Sequence, residues 1–65
     1  MATPEDITAA FGEMEAARHI MEHSLQVLEE SNTLEYQKQY RSAFGEYDRT
    51  RIAYHRISVQ GHHHE

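Results

Sequence analysis

The feature that most constrains this chain is a heptad pattern of apolar residues in its first half. One row recurs every seventh residue and a companion row follows it four residues later: Ile7, Met14, Met21 and Leu28, then Phe11, Arg18 and Leu25. A pattern of this kind predicts a long α-helix with a stripe that packs against a second helix. The chain is therefore expected to be all-α.

The residues around this pattern predict helix 1 over about residues 4–31. Thr3 is a good N-cap, Pro4 suits the first helical position, and Asp6 stands where the acid of a capping box belongs. Residues 31–33 predict a turn in which Asn32 tolerates a left-handed conformation and Thr33 caps the next helix. Because this connection is so short, the two helices should be antiparallel neighbours.

A second heptad pattern predicts helix 2 over about residues 34–59, with Gly61 ending it. Its inner face combines aromatic and aliphatic side chains: Tyr36, Tyr40, Ala43, Phe44, Tyr47, Tyr54 and Ile57. Folding about the turn pairs positions whose numbers add to about 65, such as Phe11 with Tyr54. Residues 1–60 thus predict one antiparallel two-helix hairpin. Residues 61–65 form a His-rich tail outside the fold, which fits a shortened purification tag, a natural metal-binding tail, or neither.

The small size of the chain predicts self-association. Sixty-five residues without a cysteine lie near the lower limit for an independently stable domain, and no disulfide is available. The apolar arc of helix 1 is also wider than one neighbouring helix requires. We therefore expect a homodimer, most simply a four-helix bundle. The predicted contact with the second copy comprises Ile20, Val27, Ala16, Ala17 and Met21.

Arg18 interrupts the apolar stripe of helix 1 and needs partners there. Glu15 and Glu22 lie three and four residues away on the same helix, and Tyr47 should lie opposite. We predict a buried polar network of Arg18, Glu15, Glu22 and Tyr47 that specifies register and oligomeric state. The functional alternative is an anionic or carboxylate ligand held by Arg18 and Tyr47.

Glu15, His19 and His23 follow one another at four-residue spacing and therefore share one helix face. Two histidines and a carboxylate in this arrangement can bind Zn²⁺, Ni²⁺ or Cu²⁺. The stripe lies on the polar side of the helix, however, so the alternative is that these histidines simply face solvent. No dedicated cofactor is expected, apart from adventitious Zn²⁺ or Ni²⁺ at the histidines.

Charge is distributed unevenly between the two helices. The chain carries −5 overall, with −6 on helix 1 and +2 on helix 2. This favours pairing of the helices and argues against nucleic acid or an anionic membrane as a partner. There is no secretory signal and no apolar run of membrane-spanning length, so a cytoplasmic protein is expected.

The sequence contains no arrangement of residues that predicts catalysis. A small helical interaction, adaptor or regulatory protein, binding itself and another protein, is the function that it favours. A metal-binding bundle built on His19 and His23 is the alternative. An acidic inhibitor or nucleic-acid mimic is the third candidate, and its charges would come from Glu13, Glu15, Glu22, Glu29 and Glu30.

Overall fold

The structure, a computed structural model, describes residues 2–62. It contains two α-helices, α1 (Pro4–Glu30) and α2 (Leu34–His62), which pack against each other as a hairpin. No strand occurs between residues 2 and 62. The predicted all-α hairpin is confirmed. No helix in this part of the chain is both long and apolar enough to cross a membrane.

The start of α1 is stabilised by the predicted capping box. The Asp6 amide donates to Thr3 Oγ1 at 3.1 Å, and the Thr3 amide donates to Asp6 Oδ2 at 3.2 Å. These bonds satisfy donors that a helix N-terminus leaves without intrahelical partners. Glu5 and Asp6 also place negative charge at the positive end of the helix dipole.

The turn differs from the expectation at Asn32. None of the described residues has a positive φ, so the predicted left-handed conformation is wrong. The chain instead leaves α1 through an extended Ser31, with φ −149° and ψ 93°. The side chain of Asn32 accepts a hydrogen bond from Gln37 Nε2 at 2.6 Å. Because extended backbone at Ser31 redirects the chain, Asn32 can serve as a side-chain partner for α2.

Thr33 caps α2 as predicted, since its Oγ1 accepts from the Tyr36 amide at 3.1 Å. The helix then continues to His62, three residues beyond the predicted end at Val59, and includes Gly61. A glycine disfavours helix by about 1 kcal/mol relative to alanine but does not forbid it. The remainder of the His-rich tail, residues 63–65, lies outside the described residues.

The contact between the helices is centred on alanines. Ala10, Ala17 and Ala43 are the buried residues of the described part, at 8%, 6% and 8% exposure. Phe11 and Leu25, which were predicted to complete the stripe of α1, are 45% and 37% exposed. The stripe of α1 that contacts α2 therefore contains the predicted first row, Ile7, Met14, Met21 and Leu28. Its companion row is Ala10, Ala17 and Ser24 instead of Phe11, Arg18 and Leu25. Small side chains at a helix contact allow the two axes to approach closely, which favours this rotation of α1.

Candidate interaction surfaces

Much of the apolar surface of the hairpin faces outward. Among the described residues, seven large hydrophobic side chains are more than a third exposed: Phe11, Ile20, Leu25, Leu34, Phe44, Ile52 and Val59. None of the large side chains in the described part is fully buried. The candidate functional features of this molecule are therefore surfaces, and the two flanks of the hairpin carry most of them.

Each flank carries a groove between α1 and α2, and the two grooves lie at about the same height along the helices. One is lined by Leu28, Gln37, Tyr40, Arg41 and Phe44. The other is lined by Ile20, Ser24, Gln39, Ser42, Ala43 and Glu46. Phe11 precedes Ile20 by nine residues, about two and a half turns of helix, so the two side chains lie on opposite flanks of α1. Ile20 and Phe44 line different grooves, so Phe11 shares its flank with Phe44. We call the flank with Phe11, Leu25 and Phe44 the Phe side, and the flank with Ile20 and Val27 the Ile20 side.

The rings on the Phe side are only partly used within the hairpin. Phe11 meets Tyr54 of α2 edge to face, with ring centroids 5.5 Å apart and an interplanar angle of 60°. This contact confirms the predicted pairing of Phe11 with Tyr54. Phe44 meets Tyr40 of its own helix at 6.2 Å and remains 49% exposed. Much of both phenylalanine rings is therefore free for another contact.

The residues predicted to bind a second copy separate into different environments. Ile20 is 61% exposed and Ala16 is exposed, while Val27 and Met21 are half-buried. Ala17 is buried at 6% exposure within one hairpin, so it has little surface left for a contact between copies. It belongs to the companion row that the rotation of α1 turns inward.

Arg18 forms its predicted bonds to carboxylates but in a different setting. Its Nη2 donates to Glu15 Oε1 at 2.5 Å, and its Nη1 donates to Glu22 Oε2 at 2.8 Å. The Arg18 side chain is 37% exposed, and no charged residue of the described part is buried. The network is therefore not buried, and its hydrogen bonds do not include Tyr47. The same rotation of α1 explains this, because it places Arg18 at the edge of the helix contact.

These bonds shift the ionisation of both partners. Hydrogen bonding by Arg18, reinforced by its charge, holds the pKa of Glu15 below its usual range. Hydrogen bonding and attraction by Glu15 raise the pKa of Arg18, to which the charge of Glu22 adds. Glu15 is thus committed to an ion pair with Arg18 on α1.

A repeat that links the two helices escaped the sequence analysis. Residues 9–18 (AAFGEMEAAR) and 42–51 (SAFGEYDRTR) are identical at five of ten positions, at an offset of 33. Their acids at the seventh position also match, and each bonds the arginine three residues later: Glu15 with Arg18 at 2.5 Å, Asp48 with Arg51 at 2.6 Å. Aligning the two heptad patterns with each other would have revealed this repeat.

The repeat gives the hairpin an approximate two-fold symmetry. Helix contacts pair residues whose numbers add to about 65, and adding 33 to a residue of α1 gives its counterpart in α2. Both relations are satisfied by a half-turn about an axis that is perpendicular to the plane of the two helices. This axis passes between the helices at the level of Ala16 and Arg49. It exchanges Phe11 with Phe44, so the axis passes through the Phe side between the two rings.

The predicted metal ligands have different surroundings within residues 2–62. His19 and His23 are exposed, and Glu15 is bonded to Arg18. No group of three histidine, aspartate or glutamate side chains is placed to hold a metal in this part of the chain. Of the acids considered for mimicry of nucleic acid, Glu15 and Glu22 are both paired with Arg18.

Comparisons with protein-family models, with curated proteins and with solved structures found no match to this chain.

Proposed function

We propose that this protein is a small, cytoplasmic, non-catalytic interaction or regulatory protein that acts as a self-associated helical bundle, most simply a homodimer of two hairpins. The observation that carries the proposal is the composition of its interior. The buried residues of the described part are three alanines, whereas seven large apolar side chains are more than a third exposed. Burial of large apolar groups is the main stabilising contribution in folding, and one hairpin provides little of it.

The dimensions of the hairpin support the same proposal. Its Cα radius of gyration is 14.8 Å, whereas a compact domain of this length has about 10.7 Å. Its accessible surface is 5049 Å², whereas a compact monomer of 7.6 kDa exposes about 4300 Å². The difference of about 750 Å² approaches the ~800 Å² that each partner buries in a standard protein interface. Pairing with a second copy would remove surface of this order from water.

A partner protein would find apolar surface even after the hairpins associate. Leu34, Ile52 and Val59 lie on one face of α2, because they are separated by eighteen and seven residues, and all three are exposed. This outer face of α2 is separate from both grooves between the helices. We propose it as the surface for another protein, in keeping with an adaptor or regulatory role.

Sedimentation equilibrium at several protein concentrations tests the proposed self-association. We expect the mass to approach twice that of the chain as concentration rises, without added metal. The same series with Zn²⁺ tests the metal-binding alternative. Association that requires Zn²⁺ and is lost in His19→Ala would support that alternative, and a monomer under all conditions would remove the proposal.

A further inference from the structure

We propose that the Phe side is the surface through which two copies of this chain associate, Phe side against Phe side, with α1 of each copy lying along α2 of the other. The inference rests on the proposed self-association and identifies its surface. It differs from the prediction based on the heptad pattern, which placed the contact around Ile20 and Val27.

The first reason is the distribution of exposed apolar groups. The Phe side carries three large exposed side chains, Phe11, Leu25 and Phe44, whereas Ile20 is the one on the Ile20 side. Buried aromatic side chains contribute most to the stability of protein interfaces. Both phenylalanines are already oriented by a tyrosine neighbour, so little side-chain freedom would be lost on association.

The second reason is the approximate symmetry of this flank. A two-fold contact between identical chains requires a surface that is complementary to itself. The axis within the hairpin emerges on both flanks, but on the Phe side it relates like residues, Phe11 to Phe44 and Arg18 to Arg51. On the Ile20 side it relates Ile20 to Ala53. Each arginine is bonded to a carboxylate on its own helix, so a second copy would meet no unpaired charge at these positions.

The third reason is charge, and it determines which helices meet. α1 carries −6 and α2 carries +2. If the two-fold axis between the copies is parallel to the helices, α1 of one copy lies opposite α2 of the other. If that axis is perpendicular to the helices, α1 of one copy lies opposite α1 of the other. Both arrangements make neighbouring helices antiparallel, but only the first avoids contact between two acidic helices. It also places Arg41, which lines the groove beside Phe44 and forms no ion pair in the described part, near the acidic α1 of the partner.

Substitutions on the two flanks provide the test. Phe44→Glu should raise the dissociation constant of the dimer at least about thirtyfold, the loss typical of a buried aromatic anchor. Ile20→Glu is the matched control, because Ile20 is more exposed than Phe44 and lies on the opposite flank. It should leave the dissociation constant within a few-fold of the parent value. Sedimentation of both variants measures these constants.

The possible outcomes distinguish this inference from the proposed function. A parent chain that stays monomeric removes both. A dimer dissociated by Ile20→Glu and not by Phe44→Glu, or affected equally by the two, overturns the choice of surface and leaves self-association intact.

Cross-linking provides a second test that does not depend on the stability of the glutamate variants. The chain has no cysteine, so single cysteines report single positions. Leu25→Cys and Phe44→Cys are mixed at a concentration where sedimentation shows each variant to be dimeric, and treated with a short bismaleimide. Mass spectrometry should find the mixed cross-linked dimer, whereas Ile20→Cys mixed with Phe44→Cys should not produce one. Equal cross-linking in both mixtures, or none with Leu25→Cys, overturns the inference.

Discussion

At the scale of the residue, Arg18 illustrates how a small rotation changes the role of a side chain. Its position in the heptad pattern predicted a buried guanidinium opposite Tyr47. In the structure α1 is turned so that Arg18 lies at the edge of the contact, bonded to Glu15 and Glu22. Exposed ion pairs contribute little to stability, so its main effect is local, on the helix that carries it.

The ion pair of Glu15 predicts a pH-dependent effect of its removal. The pKa of Glu15 is lowered in the folded state, so its stabilising contribution is present above the ordinary pKa of about 4.3 and is lost as the pH falls through the lower, folded value. Glu15→Gln should therefore lower the melting temperature at pH 7 and have a smaller effect at pH 2. Thermal denaturation followed by circular dichroism at both pH values checks this. Glu13→Gln, which removes an exposed α1 acid with no ion pair in the described part, should not show the same loss at pH 7.

The capping box at Thr3 predicts a second effect at this scale. Thr3→Ala removes the acceptor of the Asp6 amide and should destabilise the fold by about 1 kcal/mol. This corresponds to a melting temperature lower by about 4–8 °C for a domain of this size. Thr8→Ala, an exposed change within α1, should not destabilise, since alanine is the better helix former. Equal loss in the two variants would argue against the cap.

At the scale of the element, the two helices share the repeat, and each has a glycine, which disfavours helix, at the same position of it. Gly12 and Gly45 occupy equivalent positions of the repeat, in the interior of α1 and α2. A Cβ built at either position meets no neighbouring atom within 4 Å. Packing of the hairpin therefore gives no reason for glycine at these two positions.

Replacing these glycines should stabilise both helices. Gly12→Ala and Gly45→Ala should each raise the free energy of unfolding by about 0.5–1 kcal/mol, because alanine loses less backbone entropy and finds open space. Chemical denaturation measures the change. Ala16→Gly, an exposed position one turn after Gly12, should lower the free energy by a similar amount. Destabilisation by either alanine would indicate that another chain approaches the helix at that glycine.

At the scale of the whole molecule, the absence of a large, fully buried side chain from the described residues links folding to association. If two hairpins form one interior, the folded state is stabilised by mass action. The melting temperature should therefore rise with protein concentration, whereas that of an independently folded monomer is constant. Calorimetry over a hundredfold range of concentration checks this. Phe44→Glu should remove the concentration dependence, and Ile20→Glu should retain it.

The sequence by itself determined the two helices, their N-caps and the antiparallel hairpin. These follow from heptad spacing, from Thr3 and Thr33 as caps, and from a connection of three residues, all of which act between residues close in the chain. Only the tertiary structure decided which companion row of α1 faces α2. The rows that contain Ala10 and Phe11 are adjacent on the helix, and either completes a heptad stripe with Ile7 and Met14. The choice depends on how closely the two axes approach, which is a property of both helices together. That choice turned Ala17 inward and left Phe11 and Leu25 exposed on the flank proposed for a second copy.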